Sequence, residues 1–253
     1  RISFAPYRLL FHRPFATAHG TRNGTDAVFI RLEHDGHTGY GEATLPPYVE
    51  ESAAEVIAGI RAWAHASPRT PEVALELLDL TLDRPGAGLR SALHSALLDL
   101  IAKRAAIPVR TLLGVPALEH TTTLITLGIM STDEAANELA RLPASGALKV
   151  KVDGSTTKEE LMAINKLDHR PLFVDSNQGF QRIDQLKRLM EGLELELLGV
   201  EQPFQRDNIH THNELTSKST SRFTVYADES IQDEAELVAR GHAFSGVNLK
   251  LMK

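Results

Sequence analysis

Two patterns of apolar and polar positions divide the chain. Up to about residue 45 the apolar residues come in strand-like runs, and AVFIRLEHDGHTGYGEA predicts two antiparallel strands joined by a turn at Asp35-Gly36, the second ending near Gly41. Helical spacing follows in EESAAEVIAGIRAWA and, more strongly, in GLRSALHSALLDLIAKRA, which ends before Pro108. These elements predict an α+β domain over residues 1–115.

From about residue 121 short apolar runs alternate with helical stretches. The runs TTLITLGI, ALKVKV, PLFVDS, LLGVEQ, FTVYAD and GVNLKL predict strands, and TDEAANELARL, KEELMAINKL and QRIDQLKRLME predict helices between them. Such alternation is typical of parallel βαβ units. Residues 116–253 are therefore expected to form an open doubly wound sheet or part of a TIM-type (β/α)8 barrel. No G-x-G-x-x-G motif follows a strand, which weakens the nucleotide-binding alternative.

Acidic residues stand at the carboxyl ends of three successive predicted strands. Asp175, Glu201 and Asp228 are 26 and 27 residues apart, about one βα unit each. In a barrel these strand ends form the face that carries the chemistry. Three ionised carboxylates in one cleft repel each other unless a cation lies between them, and oxygen ligands suit Mg²⁺, with Mn²⁺ as the alternative. Each carboxylate alone is better explained as a helix cap or a solvated group, but three at matched spacing favour a metal site.

Lysines accompany these carboxylates. Lys149 and Lys151 lie two residues apart in ALKVKV and so point to one face of a strand, and Lys250 ends the sixth predicted strand. Two bases on opposite faces of one carbon permit a 1,1-proton transfer, in which one removes the α-proton and the other returns it. We interpret Lys151 and Lys250 as these bases, acting on a carboxylate substrate whose enediolate is stabilised by the metal. Lys149 would then lower the pKa of Lys151 and pair with the substrate carboxylate.

Composition excludes several other classes of function. The chain of 253 residues has a net charge of −6 and no basic cluster, so it lacks the electrostatic footprint of a nucleic-acid binder. No apolar run approaches the roughly 20 residues that span a bilayer, and the charged start RISFAPYRLLFHRPF does not read as a signal peptide. Without cysteine there is no disulfide or thiolate chemistry, and a cytoplasmic location is the expectation.

The motifs taken together resemble the enolase superfamily, in its muconate-lactonising-enzyme subgroup. LKVKVDG resembles that family's K-x-K strand, VDSNQGF its D-x-N metal strand, VEQPF its E-Q-P strand, ADES and NLKLMK the last two, and GYGEATLPPYVEES the end of its capping-domain sheet. The resemblance implies an α+β capping domain followed by a modified (β/α)8 barrel. It also implies a Mg²⁺ centre held by the three carboxylates, with the two lysines as the acid/base pair.

Within the subgroup, PFATAHGTRNGT and NLKLMK are most similar to dipeptide epimerases, which invert the α-carbon of the C-terminal residue of a dipeptide. This similarity implies a small-molecule dipeptide substrate and a mobile loop over about residues 16–25, in which Arg22 meets a substrate carboxylate. Thr126 and Asn177 are further substrate-binding predictions. Arg22 as a solvated loop arginine and Thr126 as an ordinary strand residue are the competing explanations.

Other residues carry weaker predictions. Lys253 is the less favoured choice for the second base and a further substrate-binding prediction. His19 is explained as a solvated loop histidine, and Tyr48 as a packing aromatic. Homo-oligomers are common in the superfamily, which allows one here. We expect neither nucleic acid nor membrane as a partner.

The family's barrel has eight strands, whereas this sequence predicts six, so we expect a longer native protein whose last strands are missing here. Three alternatives to an epimerase stay open. A lyase such as o-succinylbenzoate synthase, or a cycloisomerase, would use Lys250 to stabilise charge, and an N-acylamino acid racemase would apply the same chemistry in another pocket. A truncated member without catalytic activity is the remaining alternative.

Overall fold

The computed structural model describes residues 1–47, 49–66, 70–82, 86–117, 119–217 and 224–251. Tyr48 and Lys253, both considered above, lie outside the described residues. The chain divides into two compact units, the first comprising Arg1–His12, Asn23–Glu119 and Lys250–Lys253, and the second comprising Arg13–Arg22 and His120–Leu249. Among the helices of the described ranges, none combines the length and apolar character needed to cross a bilayer.

The first unit combines an antiparallel sheet with helices, as predicted. Its strands are β1 (Ile2–Thr17), β2 (Gly20–His34) and β3 (His37–Leu45), in that order, and its helices are α1 (Ala53–Ala66), α2 (Pro71–Glu76), α3 (Leu78–Thr81), α4 (Ala87–Arg104) and α5 (Val109–Leu112). The predicted turn is confirmed, because Asp35 and Gly36 have φ of 47° and 76°, the left-handed geometry of a two-residue hairpin. The prediction that the following strand ends near Gly41 is wrong, since β3 still pairs Leu45 with Asp26.

Two glycines let helix α4 lie directly on strand β3. A Cβ at Gly41 would stand 2.0 Å from the carbonyl oxygen of Ala92, and one at Gly39 would stand 2.2 Å from that of Ala96. The two glycines share a face of the strand and the two alanines share a face of the helix, so two small surfaces meet. The core of this unit surrounds that contact and includes Val28, Ile30, Leu32, Val56, Ile60, Trp63, Leu93, Leu97 and Leu100.

The second unit is a parallel sheet with helices between its strands. The strands are β4 (Leu124–Leu127), β5 (Ala147–Lys151), β6 (Leu172–Asp175), β7 (Leu197–Glu201), β8 (Val225–Ala227) and β9 (Gly246–Val247). The helices are α6 (Thr132–Leu139), α7 (Lys158–Leu167), α8 (Ile183–Met190), α9 (Ile209–Ser217) and α10 (Glu234–Arg240). Neighbouring strands pair in the order β4-β5-β6-β7-β8-β9. A doubly wound sheet reverses its order at a switch point, so this unbroken order is that of a barrel sheet and decides between the two predicted architectures.

Strand β5 shows how the two faces of this sheet differ. Leu148 and Val150 are buried in a core that includes Leu161 of α7, whereas Lys149 and Lys151 alternate with them and are only partly buried. Side chains two residues apart share a face of a strand. The prediction that both lysines stand together, opposite the apolar face of β5, is therefore confirmed.

The tip of the hairpin formed by β1 and β2, residues 13–22, belongs to the second unit. The N–H of Ile129 donates to the carbonyl oxygen of Ala16 at 3.0 Å, and Arg13 forms an ion pair with Glu138. The segment predicted as a mobile loop, residues 16–25, consists of the ends of β1 and β2 with a turn between them. Its mobility stays a prediction.

Candidate active site

The strand register brings Lys151, Asp175 and Glu201 into one row. Lys151 pairs with Asp175 across β5 and β6, and Asp175 pairs with Glu201 across β6 and β7. Lys149 lies two residues before Lys151 on β5, and in the strand register it pairs with Thr126 of β4 and with Phe173 of β6. Because all these strands run in parallel, the charged side chains meet at their carboxyl ends. Charged residues separated by some 25 positions in the sequence thus become neighbours.

Lys149 bridges two of the predicted metal ligands. Its Nζ lies 2.6 Å from Glu201 Oε2 and 3.1 Å from Asp175 Oδ2, and it stands 5.5 Å from the centre of the Phe173 ring. Burial by itself lowers the pKa of Lys149, but the charges of Asp175 and Glu201 outweigh burial and raise that pKa overall. Lys149 is therefore a fixed positive charge in this arrangement. Its predicted pairing with a substrate carboxylate is not tested by these contacts.

Lys151 has two acceptors of its own. Its Nζ donates at 2.6 Å to Asp175 Oδ2 and at 2.6 Å to Asn177 Oδ1. Asn177 has a left-handed backbone, with φ of 41°, which asparagine tolerates better than most residues. Its Nδ2 donates in turn to Glu229 Oε1 at 3.2 Å. Asn177, predicted to bind substrate, therefore orients the predicted base in this structure.

Glu201 lies at the centre of an excess of negative charge. Asp175, Glu201 and Asp228 are 1%, 2% and 3% exposed. Burial and then the charge of Asp175 raise the pKa of Glu201 to about 7, with Asp228 adding to the effect and Lys149 opposing it. Glu201 Oε1 also accepts a 2.8 Å hydrogen bond from Asn248. Carboxylates crowded in this way favour a bound cation, and their oxygen atoms are the ligands that a hard divalent ion prefers.

In this structure the carboxylates of Asp175, Glu201 and Asp228 are not arranged as a complete set of metal ligands. Within the ranges that the structure describes, no three acidic or histidine side chains are arranged to hold a metal ion. The ammonium of Lys149 explains this arrangement, since it lies between Asp175 and Glu201 and takes up oxygen atoms that a metal would need. The donor set nevertheless fits a divalent cation, because these carboxylates already bind a positive charge and the lysine side chain has rotatable bonds to withdraw.

Glu229 is a further acid at the site, partly buried, for which the sequence predicted no role. Its Oε2 is buried with no hydrogen-bond partner in the described structure, and its Oε1 lies 4.0 Å from His19 Nε2 on the hairpin tip. Burial and the charge of Asp228 raise the pKa of Glu229. Strand alternation predicts that neighbouring residues point to opposite faces, but β8 ends at Ala227, so the turn beyond it directs both acids to the site.

Thr126, Arg22 and Lys250 are the remaining predicted site residues within the described part of the chain. Thr126 is exposed on β4, and Arg22 is partly buried on the hairpin tip of the second unit. β9 ends at Val247, so Lys250, expected at the end of the sixth strand, lies beyond that end; it is partly buried and groups with the first unit. The role of Lys250 as the second base stays a prediction, as does that of Lys253, which lies outside the described residues.

The chain matches two family models that cover most of its length. Residues 4–114 match the N-terminal domain of the mandelate racemase / muconate lactonizing enzymes, and residues 132–253 match the enolase C-terminal domain-like model. The chain belongs to the mandelate racemase / muconate lactonizing enzyme family of the enolase superfamily. The resemblance and the fold class inferred from the sequence motifs are thereby confirmed.

Similar proteins point to one branch of this family. The chain is 30% identical over 260 residues to the L-Ala-D/L-Glu epimerase of Bacteroides thetaiotaomicron, covering 100% of this chain and 67% of that protein. It is 31% identical over 246 residues to the enzyme of that name from Escherichia coli, covering 96% and 74%. A dipeptide epimerase from Enterococcus faecalis, solved in complex with Mg and L-Leu-L-Tyr, aligns with a TM-score of 0.84 at 25% identity, covering 100% and 74%.

Proposed function

We propose that this chain acts as a Mg²⁺-dependent epimerase that inverts the α-carbon of one residue of a dipeptide by a two-base proton transfer. The observation that carries the proposal is the row of Lys151, Asp175 and Glu201 on one face of the sheet, with Lys149 beside it. The similarity to proteins named dipeptide epimerases supports the substrate class.

Asp175, Glu201 and Asp228 are the residues that would hold the metal. They lie at the ends of β6 and β7 and just beyond the end of β8, and all three are buried. When bound, Mg²⁺ supplies positive charge that stabilises the negative charge developing on the substrate carboxylate. Lys149, displaced from between Asp175 and Glu201, would pair with the substrate carboxylate.

Lys151 is the base on one face of the α-carbon. Its Nζ is held by Asp175 Oδ2 and Asn177 Oδ1, which restrict the side chain to one direction and keep its proton-carrying atom in place. In its uncharged form Lys151 accepts the α-proton at Nζ. Lys250 returns a proton from the opposite face, and the two lysines exchange roles for the other stereoisomer. Arg22 and Thr126 are proposed to contact the rest of the dipeptide.

The test follows deuterium uptake at the α-carbon in D₂O with Mg²⁺ and a library of L,L-dipeptides. Exchange accompanied by inversion is expected, and the best substrates define the side-chain preference. The variants Lys151→Ala and Lys250→Ala should each abolish inversion while leaving exchange with one stereoisomer. Full activity of either variant with both isomers would contradict the two-base assignment.

Other outcomes select other members of the family. If the protein binds Mg²⁺ but exchanges no dipeptide, the o-succinylbenzoate synthase, cycloisomerase and N-acylamino acid racemase reactions become the ones to assay. If it neither binds Mg²⁺ nor exchanges any substrate, a non-catalytic member is the correct interpretation.

Location and assembly complete the proposal. We propose a cytoplasmic protein, supported by the absence of cysteine from the sequence. We also propose a homo-oligomer, because homo-oligomers are common in the superfamily. Cell fractionation and light scattering of the purified protein measure these two properties directly.

A further inference from the structure

A buried polar network joins the ends of strands β7 and β8 through the side chain of Gln202, which is fully buried. Its Oε1 accepts from the backbone N–H groups of Asp228 at 2.9 Å and Ser230 at 3.0 Å. Its Nε2 donates to Ser230 Oγ at 2.7 Å and to the carbonyl oxygen of Phe204 at 2.9 Å. Every polar atom of this buried amide is therefore hydrogen-bonded.

The neighbours of Gln202 fix which way its amide faces. Ser230 Oγ donates its own proton to the carbonyl oxygen of Arg206 at 2.8 Å, which leaves its lone pairs for Gln202. His212 Nδ1 is bonded to the carbonyl oxygen of Asn208 at 2.9 Å, so its Nε2, 3.4 Å from Gln202 Nε2, is the ring's acceptor. Acceptors thus surround the amide nitrogen and donors surround the amide oxygen. A glutamate at this position would place a carboxylate oxygen, which only accepts hydrogen bonds, against the acceptors that now surround Nε2.

The backbone of Gln202 extends the connection to strand β6. Its carbonyl oxygen accepts from the N–H of Gln178 at 2.8 Å, and its own N–H donates to the carbonyl oxygen of Tyr226 at 2.9 Å. Gln202 has a φ of 38°, a left-handed conformation that is costly for a residue other than glycine and persists only where the surroundings enforce it. One residue therefore links the three strand ends that carry Asp175, Glu201 and Asp228.

We propose that Gln202 is a positioning residue for the divalent cation, one that sets the separation of the Glu201 and Asp228 carboxylates. Gln202 is the residue after Glu201, and its amide oxygen holds the backbone N–H of Asp228 itself. Removal of the amide frees these two strand ends to move apart while leaving every metal ligand in the sequence. This inference rests on the proposed function for the metal site and deepens it.

A matched control separates positioning from general stability. Arg170 forms a comparable polar clamp at the opposite, amino-terminal end of the same sheet, where it bonds Asp168 and the carbonyl oxygens of Pro143 and Ser145. Gln202→Met and Arg170→Met each remove a polar clamp and should each lower the melting temperature. Only the first change lies beside the carboxylates, so only it should alter binding of the ion.

The experiment titrates EDTA-stripped protein with Mn²⁺ and follows the free ion by electron paramagnetic resonance, with Mg²⁺ as competitor. Loss of a group that orients metal ligands typically weakens affinity by about 10- to 100-fold. We expect a loss of that size for Gln202→Met and a change within about twofold for Arg170→Met. Unchanged affinity in Gln202→Met, with wild-type protein that binds Mn²⁺, would overturn the role of Gln202 alone.

Two further results complete the test. Wild-type protein that binds no Mn²⁺ would overturn the metal centre of the proposed function, and the role of Gln202 with it. If Gln202→Met does not fold, Ser230→Ala decides, because it removes an acceptor of the amide and leaves Gln202 in place. A loss of about tenfold in Mn²⁺ affinity supports the inference, and unchanged affinity contradicts it.

Discussion

Lys149 Nζ lies 2.6 Å from Glu201 Oε2, although the two residues stand on strands separated by a third. The lysine reaches across β6 and contacts Asp175 on the way. This bridge explains why β5 carries two lysines on one face: Lys151 donates to Asp175 and Asn177, while Lys149 neutralises charge on both Asp175 and Glu201. Both lysines therefore form ion pairs with the buried acids and do not simply face solvent.

Replacement of this bridge should destabilise the metal-free protein. In Lys149→Met the carboxylates of Asp175 and Glu201 lose their shared cation, and breaking a buried ion pair by removing one partner costs about 3 kcal/mol. Added Mn²⁺ should raise the melting temperature of the variant more than that of the wild type, since the ion supplies the lost charge. Thermal melts with and without Mn²⁺ measure both effects. Equal shifts in the two proteins would contradict a shared cation position.

Removal of the metal or of one ligand should abolish activity. EDTA is expected to stop turnover and Mg²⁺ to restore it, because the developing negative charge of the substrate is otherwise unopposed. Glu201→Gln keeps the shape of the side chain but removes a charge, so it should lose activity and bind Mn²⁺ at least about tenfold more weakly. Glu194→Gln, at an exposed position, is the control and should behave as wild type. Turnover indifferent to chelation would refute a metal-dependent reaction.

The contact between α4 and β3 predicts a severe effect of one methyl group. Gly41→Ala places a Cβ 2.0 Å from the carbonyl oxygen of Ala92, so the helix has to move away from the sheet. We expect a loss of about 3 kcal/mol in the free energy of unfolding. Tyr40→Thr, on the opposite and exposed face of the same strand, should cost less than about 1 kcal/mol. Urea unfolding of both variants checks the prediction, and equal losses would count against it.

His212 should make stability depend on pH. Burial lowers its pKa from 6.5 to about 4. Between pH 4 and pH 6.5 this histidine is therefore protonated in the unfolded chain and neutral in the folded chain. The stabilising contribution of neutral His212 is complete above pH 6.5 and declines as pH falls towards 4. Over this window it should shrink by about 3 kcal/mol.

The comparison that isolates this effect uses His212→Asn, which removes the titrating group. The difference in unfolding free energy between wild type and His212→Asn should narrow as the buffer is taken from neutral to acid. His210→Asn makes the same substitution at an exposed histidine two positions earlier and is the matched control. A constant difference between wild type and His212→Asn across this range would show that His212 is not held neutral.

Periodicity in the sequence determined which residues share a face and which type of element they form. The alternation of Leu148, Lys149, Val150 and Lys151 is sufficient to place both lysines opposite the core, because side chains of a strand alternate whatever lies next to it. The repeat of about one βα unit between acidic strand ends similarly predicted parallel strands with their acids at one end. The motifs then identified the family.

Other features depend on contacts between distant parts of the chain. The grouping of the hairpin tip with the second unit, the entry of Glu229 into the site, and the network around Gln202 join positions that are far apart in sequence. Local pattern contains no information on where β8 ends or how the turn beyond it directs Asp228 and Glu229. The predicted end of β3 near Gly41 failed for the same reason, since pairing with β2 continues to Leu45.

The sequence by itself thus determined the elements, their faces and the types of chemical group available for catalysis, because local spacing controls these properties. Tertiary structure alone decided that Lys149 meets Glu201, that Asn177 meets Lys151 and that Gln202 ties the strand ends together. The physical reason is that a hydrogen bond or ion pair forms only when the two polar atoms come within about 3 to 4 Å of each other. Strand order and register, which result from packing of the whole unit, bring atoms that close.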